Sequence, residues 1–260
     1  MELKILGSGA STGVPIIACP CAVCHSSNPR NKRNRPSALI TTDNGENILI
    51  DTSPDLRQQA IKFNITHLEG VLFTHAHADH VMGFDDLRAF NFIHPNCPTP
   101  CYAIKETIDS IKEVFAYIFI PRENYKGGLL AQVEFHEISQ YEPFSICGLT
   151  IHPFKLIHSS IATTGYRIGN TAYVTDCNKI PDETLDILQG VENIIVDGLR
   201  DKPHATHFGI SEAIALGQQI HAKRIVITHL SHSVEYEETS RNLPVGVELA
   251  YDGLTIPIKL

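Results

Sequence analysis

Residues 70–80 read GVLFTHAHADH, an apolar strand that runs straight into His75-x-His77-x-Asp79-His80. Imidazole and carboxylate are good ligands for borderline divalent metals. Alternation along an extended chain puts His75 and His77 on one side, and Asp79 and His80, just beyond, can face a second ion. Two ions need more ligands, and three later strand-like runs end on residues of the right type. LTIHPFKLI leads into His158, TAYVT into Asp176 and RIVIT into His229. Any one of these alone is an ordinary polar residue closing a strand. Together they complete a set, with His75, His77 and His158 on one ion and Asp79, His80 and His229 on the other. Asp176 would bridge the two, because the two oxygens of a carboxylate can each face a cation.

The rest of the pattern bears on the fold. Strand-like runs fall at 2–6, 37–42, 47–51, 70–74, 132–138, 149–154, 164–168, 171–175, 193–197, 224–228 and 254–258. Helical periodicity appears near 54–63, 83–92, 104–117, 181–189 and 209–221. The first half is strand-rich, and helices and strands mix afterwards. Two packed sheets covered outside by helices fit this order better than one parallel sheet. A length of 260 residues without repeat, low-complexity tract or linker fits one α/β domain over 1–260, and 43% hydrophobic residues suffice for its core.

The HAHADH run and its partners resemble the HxHxDH motif of the metallo-β-lactamase superfamily, over a stretch from Gly7 to His232. The resemblance implies a four-layer αββα sandwich with a dinuclear hydrolase site at one edge of the two sheets. It leaves the substrate open, since the superfamily cleaves lactams, thioesters, phosphodiesters and RNA.

A second cluster narrows the branch. CPCAVC puts Cys19, Cys21 and Cys24 within six positions of a chain with seven cysteines. Seven is odd for a fully paired disulfide framework, and no stretch approaches the roughly 18 apolar residues of a membrane span. The start, MELKILGSGA, reads as a strand and a turn rather than a signal peptide, so a cytoplasmic setting with reduced thiols is expected. Three thiolates want tetrahedral closure by a fourth ligand. His25 is adjacent to Cys24, and neighbours rarely chelate one ion through both side chains. Cys97, Cys101, Cys147 and Cys177 share no spacing with the cluster. His232, three residues after His229, is the better candidate, making Cys19, Cys21, Cys24 and His232 a structural zinc site.

GSGASTGVP, CPCAVC, HAHADH and THLSH together resemble the PhnP-like phosphodiesterases of phosphonate breakdown, which open phosphoribosyl 1,2-cyclic phosphate. In that family a CxCxxC loop and a late histidine hold a structural zinc. The resemblance points to His207, in PHATHFGIS, as a histidine that assists catalysis from outside the metal ligands. Its plainer reading is a polar residue before the following helix, and His204 is the competing choice. The PQQ-biosynthesis branch carries a similar cysteine loop with a degraded HxHxDH set, which is intact here. The family also implies a homodimer.

Two divalent ions, Mn²⁺, Zn²⁺ or Fe²⁺, would lower the pKa of a shared water and neutralise charge at phosphorus. Opening a cyclic ester expels an alkoxide that benefits from a proton. His207 is the expected acid, acting with Asp79 among the catalytic residues. Asp51, which closes NILID, either orients a ligand histidine or is a plain turn aspartate. Glycines in GSG allow close backbone approach.

A net charge of −8 argues against broad nucleic-acid binding, while three bound ions would focus positive charge in one pocket suited to a small phosphodiester. The local exception, Arg30, Lys32, Arg33 and Arg35 in RNKRNRP, reads first as a solvated loop and second as phosphate steering. A tRNA 3′-processing nuclease of this superfamily adds a long basic arm, which is not visible, although residues 94–148 could cover the site. The remaining rivals are a thioester hydrolase of the glyoxalase type and a metal-dependent sensor without turnover.

Overall fold

The β-branched and leucine-rich runs of the sequence form the strands of the computed structural model, which describes residues 1–95, 97–120 and 126–260. The first half contains β1 (Glu2–Gly7), β2 (Ser37–Thr41), β3 (Asn47–Ile50), α1 (Leu56–Phe63), β4 (Gly70–Leu72) and α2 (Ala78–Val81). These are followed by α3 (Arg88–Ile93), β5 (Thr99–Ala103), α4 (Lys105–Val114) and β6 (Val133–Glu137). The second half runs β7 (Phe144–Ile146), β8 (Leu149–His158), β9 (Ile161–Ile168), β10 (Thr171–Val174), α5 (Asp182–Leu188) and β11 (Asn193–Asp197). It closes with α6 (Ile210–Gln219), β12 (Arg224–Thr228), α7 (Tyr236–Arg241), β13 (Val247–Leu249) and β14 (Thr255–Pro257).

Two seven-stranded sheets result, in the orders β14-β1-β2-β3-β4-β5-β6 and β13-β12-β11-β10-β9-β8-β7. Each is antiparallel in one half and parallel in the other, with the change at β3 and at β10. The last strand returns to pair with the first, Leu3 opposite Ile256. Alternation explains the layering. Leu3, Ile5, Ile40, Ile48, Ile50 and Leu72 face Ile151, Tyr166, Ile168, Tyr173, Ile195 and Val226 of the other sheet. The intervening residues Leu39, Leu49 and Val71 point outward under α1 and α4, and Val174, Ile194 and Val196 lie under α5 and α6. Strands buried on both faces read as unbroken apolar runs, which is how ILI and IIV appear in the sequence. The architecture is the αββα sandwich expected.

All eleven expected runs form strands, and three strands were missed. β5 carries Pro100, which disguises a strand, and β7 and β13 have three residues each. These placements also correct the expected cover over 94–148. β5 and β6 extend the edge of the first sheet, and β7 forms the edge of the second. Residues 96 and 121–125 of that stretch lie outside the described residues. Among the described residues no helix is long and apolar enough to cross a membrane.

The parallel halves set up the site. The carboxyl ends of β3, β4, β10, β11 and β12 emerge along one edge, and β8 ends there on His158. Two bonds between the sheets fix this edge just beneath the His-rich run. The buried Tyr166 hydroxyl donates to the Phe73 carbonyl at 2.6 Å, and the Thr164 amide donates to the Thr74 carbonyl at 2.9 Å. Tyr166→Phe leaves a buried carbonyl unpaired and is expected to lower unfolding free energy by about 1 kcal/mol, read by denaturant titration. An unchanged midpoint would show that this bond adds nothing.

Candidate metal centre

The ligand-type residues are delivered by a repeated local device. Asp51, Asp176 and His229 each lie one or two residues beyond a strand, and each has a left-handed backbone, with φ of 60°, 61° and 57°. Side-chain-bearing residues adopt this conformation at a cost on the order of 1 kcal/mol, and such residues collect at functional sites. Here each turn breaks the strand direction at the shared edge. His77 is the exposed N-cap of α2, whose single turn carries the buried Asp79 and His80.

Two groups of ligand atoms converge, each within 4.8 Å: His75, His77, His158 and Asp176, and Asp79, His80, Asp176 and His229. All seven residues expected at the dinuclear centre are therefore brought together, and Asp176 belongs to both groups. Its Oδ2 lies 3.8 Å from His75 Nε2 and 3.3 Å from His80 Nε2, and its Oδ1 lies 3.4 Å from His229 Nε2. Asp79 Oδ2 stands 3.4 Å from both His80 Nε2 and His229 Nε2.

These residues fit divalent cations for two reasons. His75 Nε2, His80 Nε2 and Asp176 Oδ1 are buried without a hydrogen-bond partner, an arrangement that is costly unless something else binds them. The local charge also calls for cations. Burial opposes protonation of His80, yet Asp176, Asp79 and Asp51 together outweigh it and hold its pKa well above the ordinary value. Burial likewise pushes the Asp176 carboxyl up, and His229 and His80 more than reverse this, so it lies well below the ordinary range.

A supporting layer fixes the imidazoles. Asp51, fully buried, meets His80 Nδ1 at 2.7 Å and accepts from the Thr74 amide and hydroxyl, both at 2.8 Å. Of its two readings, orientation of a ligand histidine is the one the contacts support. Thr74 Oγ1 lies 3.0 Å from His75 Nδ1, and His158 Nδ1 donates to the Thr206 carbonyl at 2.7 Å. In each case Nδ1 is engaged and Nε2 is left to face inward.

His207 stands outside both ligand groups. Its ring is 4.6 Å from that of His158 and 4.7 Å from that of His229, and Nδ1 lies 3.0 Å from Asp197 Oδ2. Asp197, buried at the end of β11, was missed, although it closes the apolar run NIIVD just as the ligand residues close theirs. His204 lies farther out, its ring 5.6 Å from that of His207 and its Nδ1 3.1 Å from Thr206 Oγ1.

The cysteine cluster assembles as the spacing implied. His232 Nδ1 lies 3.2, 3.5 and 3.8 Å from the sulfurs of Cys19, Cys21 and Cys24. The Cys24 amide, with help from Cys19, Cys24 and His232 side chains, outweighs burial and holds the Cys21 thiol down to about 6. His25 turns away to the Cys19 carbonyl. Cys97, Cys101, Cys147 and Cys177 are free and elsewhere.

The basic run RNKRNRP is the solvated loop expected at Arg30 and Lys32, which are exposed, but not at Arg33. Arg33 is 2% exposed and donates to the carbonyls of Ser231 at 2.9 Å and Val234 at 2.8 Å, with Asn31 Oδ1 at 3.2 Å. Burial pushes its pKa down to about 10, against Asp252, Glu235 and Tyr236, so it stays charged at neutral pH. It therefore clamps the segment that carries both His229 and His232. The GSG turn closes on the same segment, with the Leu230 amide donating to Ser8 and the Ala10 amide donating to Leu230. A Cβ at Gly9 would meet the Arg33 carbonyl at 2.9 Å, which explains the glycine.

Comparison with known proteins places these features in context. The family described as the beta-lactamase superfamily domain matches residues 46–230. A crystal structure described as a new diphosphatase from the PhnP family is 40% identical, with a TM-score of 0.91, covering 100% of this chain and 98% of that one. An octanoyltransferase of Porphyromonas gingivalis (strain ATCC BAA-308 / W83) is 40% identical over 257 residues, 98% of this chain, which spans 51% of that relative's length. Zn²⁺-bound PqqB from Methylobacterium extorquens shares the fold at 22% identity and a TM-score of 0.80, covering 99% of this chain and 100% of that one.

Asp51→Asn keeps the shape but weakens the partner of His80. Metal affinity is expected to fall about 10- to 100-fold, with the thiolate site unaffected, as measured by calorimetric titration of the metal-free protein. Unchanged affinity would reduce Asp51 to a turn residue.

Proposed function

The chain belongs to the beta-lactamase superfamily, and within it to the PhnP family, and is a metal-dependent hydrolase; on that premise we propose that it cleaves phosphodiesters, opening cyclic ribose phosphates or small linear diesters. The observation that carries this reading is the shared carboxylate of Asp176 within two complete His/Asp groups, with a non-ligand histidine beside them. Two divalent cations, one on His75, His77, His158 and Asp176 and the other on Asp79, His80, Asp176 and His229, would supply a water of lowered pKa and neutralise charge at phosphorus. Mn²⁺, Zn²⁺ and Fe²⁺ all suit these ligands, whereas Cys19, Cys21, Cys24 and His232 suit a structural Zn²⁺.

The chain's own residues do the rest. Asp51 and the Thr206 carbonyl hold His80 and His158 in one orientation. Asp197 engages Nδ1 of His207, so Nε2 is the nitrogen left for the substrate. From there the ring can pass a proton to the departing oxygen, which a ribose alkoxide needs and a stable anion does not. The overall charge of −8 suits a small substrate drawn into one positive pocket rather than a nucleic-acid polymer.

A second reading comes from the PhnP-family relative described as a diphosphatase. A diphosphate linkage would place the same kind of phosphorus between the cations, and its leaving group, a phosphate, departs without a proton. The octanoyltransferase name belongs to a chain about twice as long. Cys177, the thiol next to Asp176, is fully buried and its pKa is pushed well up by burial, so it offers no acyl-accepting thiolate.

Turnover of cyclic phosphates, linear diesters, diphosphates and thioesters with each metal separates these readings, and His207→Ala separates their chemistry. The substitution is expected to slow opening of a cyclic ribose phosphate by about 10²–10⁴-fold. Cleavage of bis(p-nitrophenyl) phosphate, whose leaving group is nearly stable as an anion, should fall much less, and metal content should hold. Equal losses on both substrates would make His207 a binding residue, and turnover confined to diphosphates would favour the second reading.

A further inference from the structure

The loop that carries His207 runs from residue 198 to residue 209, between β11 and α6, with no regular structure of its own. Backbone bonds close its base, the Leu199 amide donating to the Phe208 carbonyl at 2.9 Å and the Ile210 amide to the Arg200 carbonyl at 3.0 Å. The Phe208 amide also donates to the Cys177 carbonyl at 2.8 Å. The tip, residues 203–207, is held by other means. His158 Nδ1 donates to the Thr206 carbonyl at 2.7 Å, and Asn178 Nδ2 donates to the Ala205 carbonyl at 2.7 Å. Asp197 meets the His207 ring, which fixes the turn of the imidazole but not the main chain beneath it.

Asn178 stands two residues beyond the shared carboxylate of Asp176, with its backbone pinned to the end of β8. Its amide donates to the Ile157 carbonyl at 2.9 Å, and the Ile157 amide donates to the Lys179 carbonyl at 3.1 Å. The side chain uses both of its ends. Oδ1 accepts from the Ser159 amide at 3.0 Å, beside the ligand His158, and Nδ2 reaches the Ala205 carbonyl, two residues before His207. The partners dictate this orientation, since a backbone amide only donates and a carbonyl only accepts. A carboxylate, which only accepts, could serve the first partner and not the second.

A single bond at Thr206 would let the tip pivot about it. A second bond, at the neighbouring residue and from a different strand end, removes that freedom. We propose that Asn178 is a positioning residue for His207. It locks the tip so that the imidazole stays beside His158 and His229, within reach of the departing oxygen. The assignment rests on the phosphodiesterase reading, in which His207 passes the proton.

The test is Asn178→Asp in the metal-loaded protein. The variant keeps an oxygen for the Ser159 amide but turns a second oxygen on the Ala205 carbonyl, where a donor is required. A misplacement of about 1 Å can cost a reaction on the order of 10²-fold, so opening of a cyclic ribose phosphate should slow by about 10- to 100-fold. Cleavage of bis(p-nitrophenyl) phosphate should fall much less, and metal content should hold. In a His207→Ala background the same substitution should add nothing, because both changes remove one function. An equal loss on both substrates, a full further loss in the His207→Ala background, or lost metal overturns the assignment. Hydrogen exchange, which needs no turnover, should quicken in the peptide spanning 199–209 of Asn178→Asp. If neither diester is cleaved, the phosphodiesterase reading fails on its own, and equal exchange in wild type and variant still overturns the hold of Asn178 on the loop.

Discussion

The buried carboxylate of Asp176 is the point on which the structure turns. Its two oxygens face three imidazoles, Oδ2 toward His75 and His80 and Oδ1 toward His229, from a residue 2% exposed at the end of β10. A carboxylate taken this far from water is costly unless positive charge surrounds it. The imidazoles supply part of that charge in the metal-free chain, and cations would supply it fully. Strand order follows from this requirement. β10 lies where the second sheet changes from antiparallel to parallel, so β8, β11 and β12 can deliver His158, Asp197 and His229 to its end. Metal affinity and folding stability are consequently linked: a cation bound at Asp176 relieves the same burial cost that the fold otherwise bears.

The two metal-type sites are mechanically joined although their ligand atoms are separate. His229 and His232 lie three residues apart on a segment held by Arg33 from one side and by the Ser8–Ala10 turn from the other. One imidazole meets Asp176 and the other meets three sulfurs. Residues 19–24 therefore act as an outer brace of the edge that carries Asp176. Their loss would reach His229 through His232, three residues along the same segment.

Much of this was legible because the ligand residues interrupt apolar runs. HAHADH is contiguous, and His158, Asp176 and His229 each end a strand that its β-branched content announces. Asp197 sends the same signal and was passed over because its partner is His207 rather than an ion. What stayed hidden depends on distant contacts. Arg33 looks solvated in a run of polar residues, and only Ser231 and Val234, about two hundred positions away, make it a buried clamp. The left-handed turns at Asp51, Asp176 and His229 were equally invisible, since aspartate and histidine occur in every kind of loop. Pro100 hid β5, so an edge of the first sheet read as a cover.

On the proposed reading, residues outside the ligand set decide which chemistry the centre performs. Cations held by His75, His77, Asp79, His80, His158, Asp176 and His229 would, on the proposed phosphodiesterase reading, supply a water of lowered pKa and a place for phosphorus whatever the leaving group. His207, tied to Asp197, would matter in proportion to how badly the departing oxygen needs a proton. It is a proton-bearing side chain fixed by a carboxylate and lying one step from the ligands, its ring 4.6 Å from that of His158. In a chain of net charge −8 no general positive field could stand in for it, so the proposed selectivity between leaving groups rests on this fixed and local side chain.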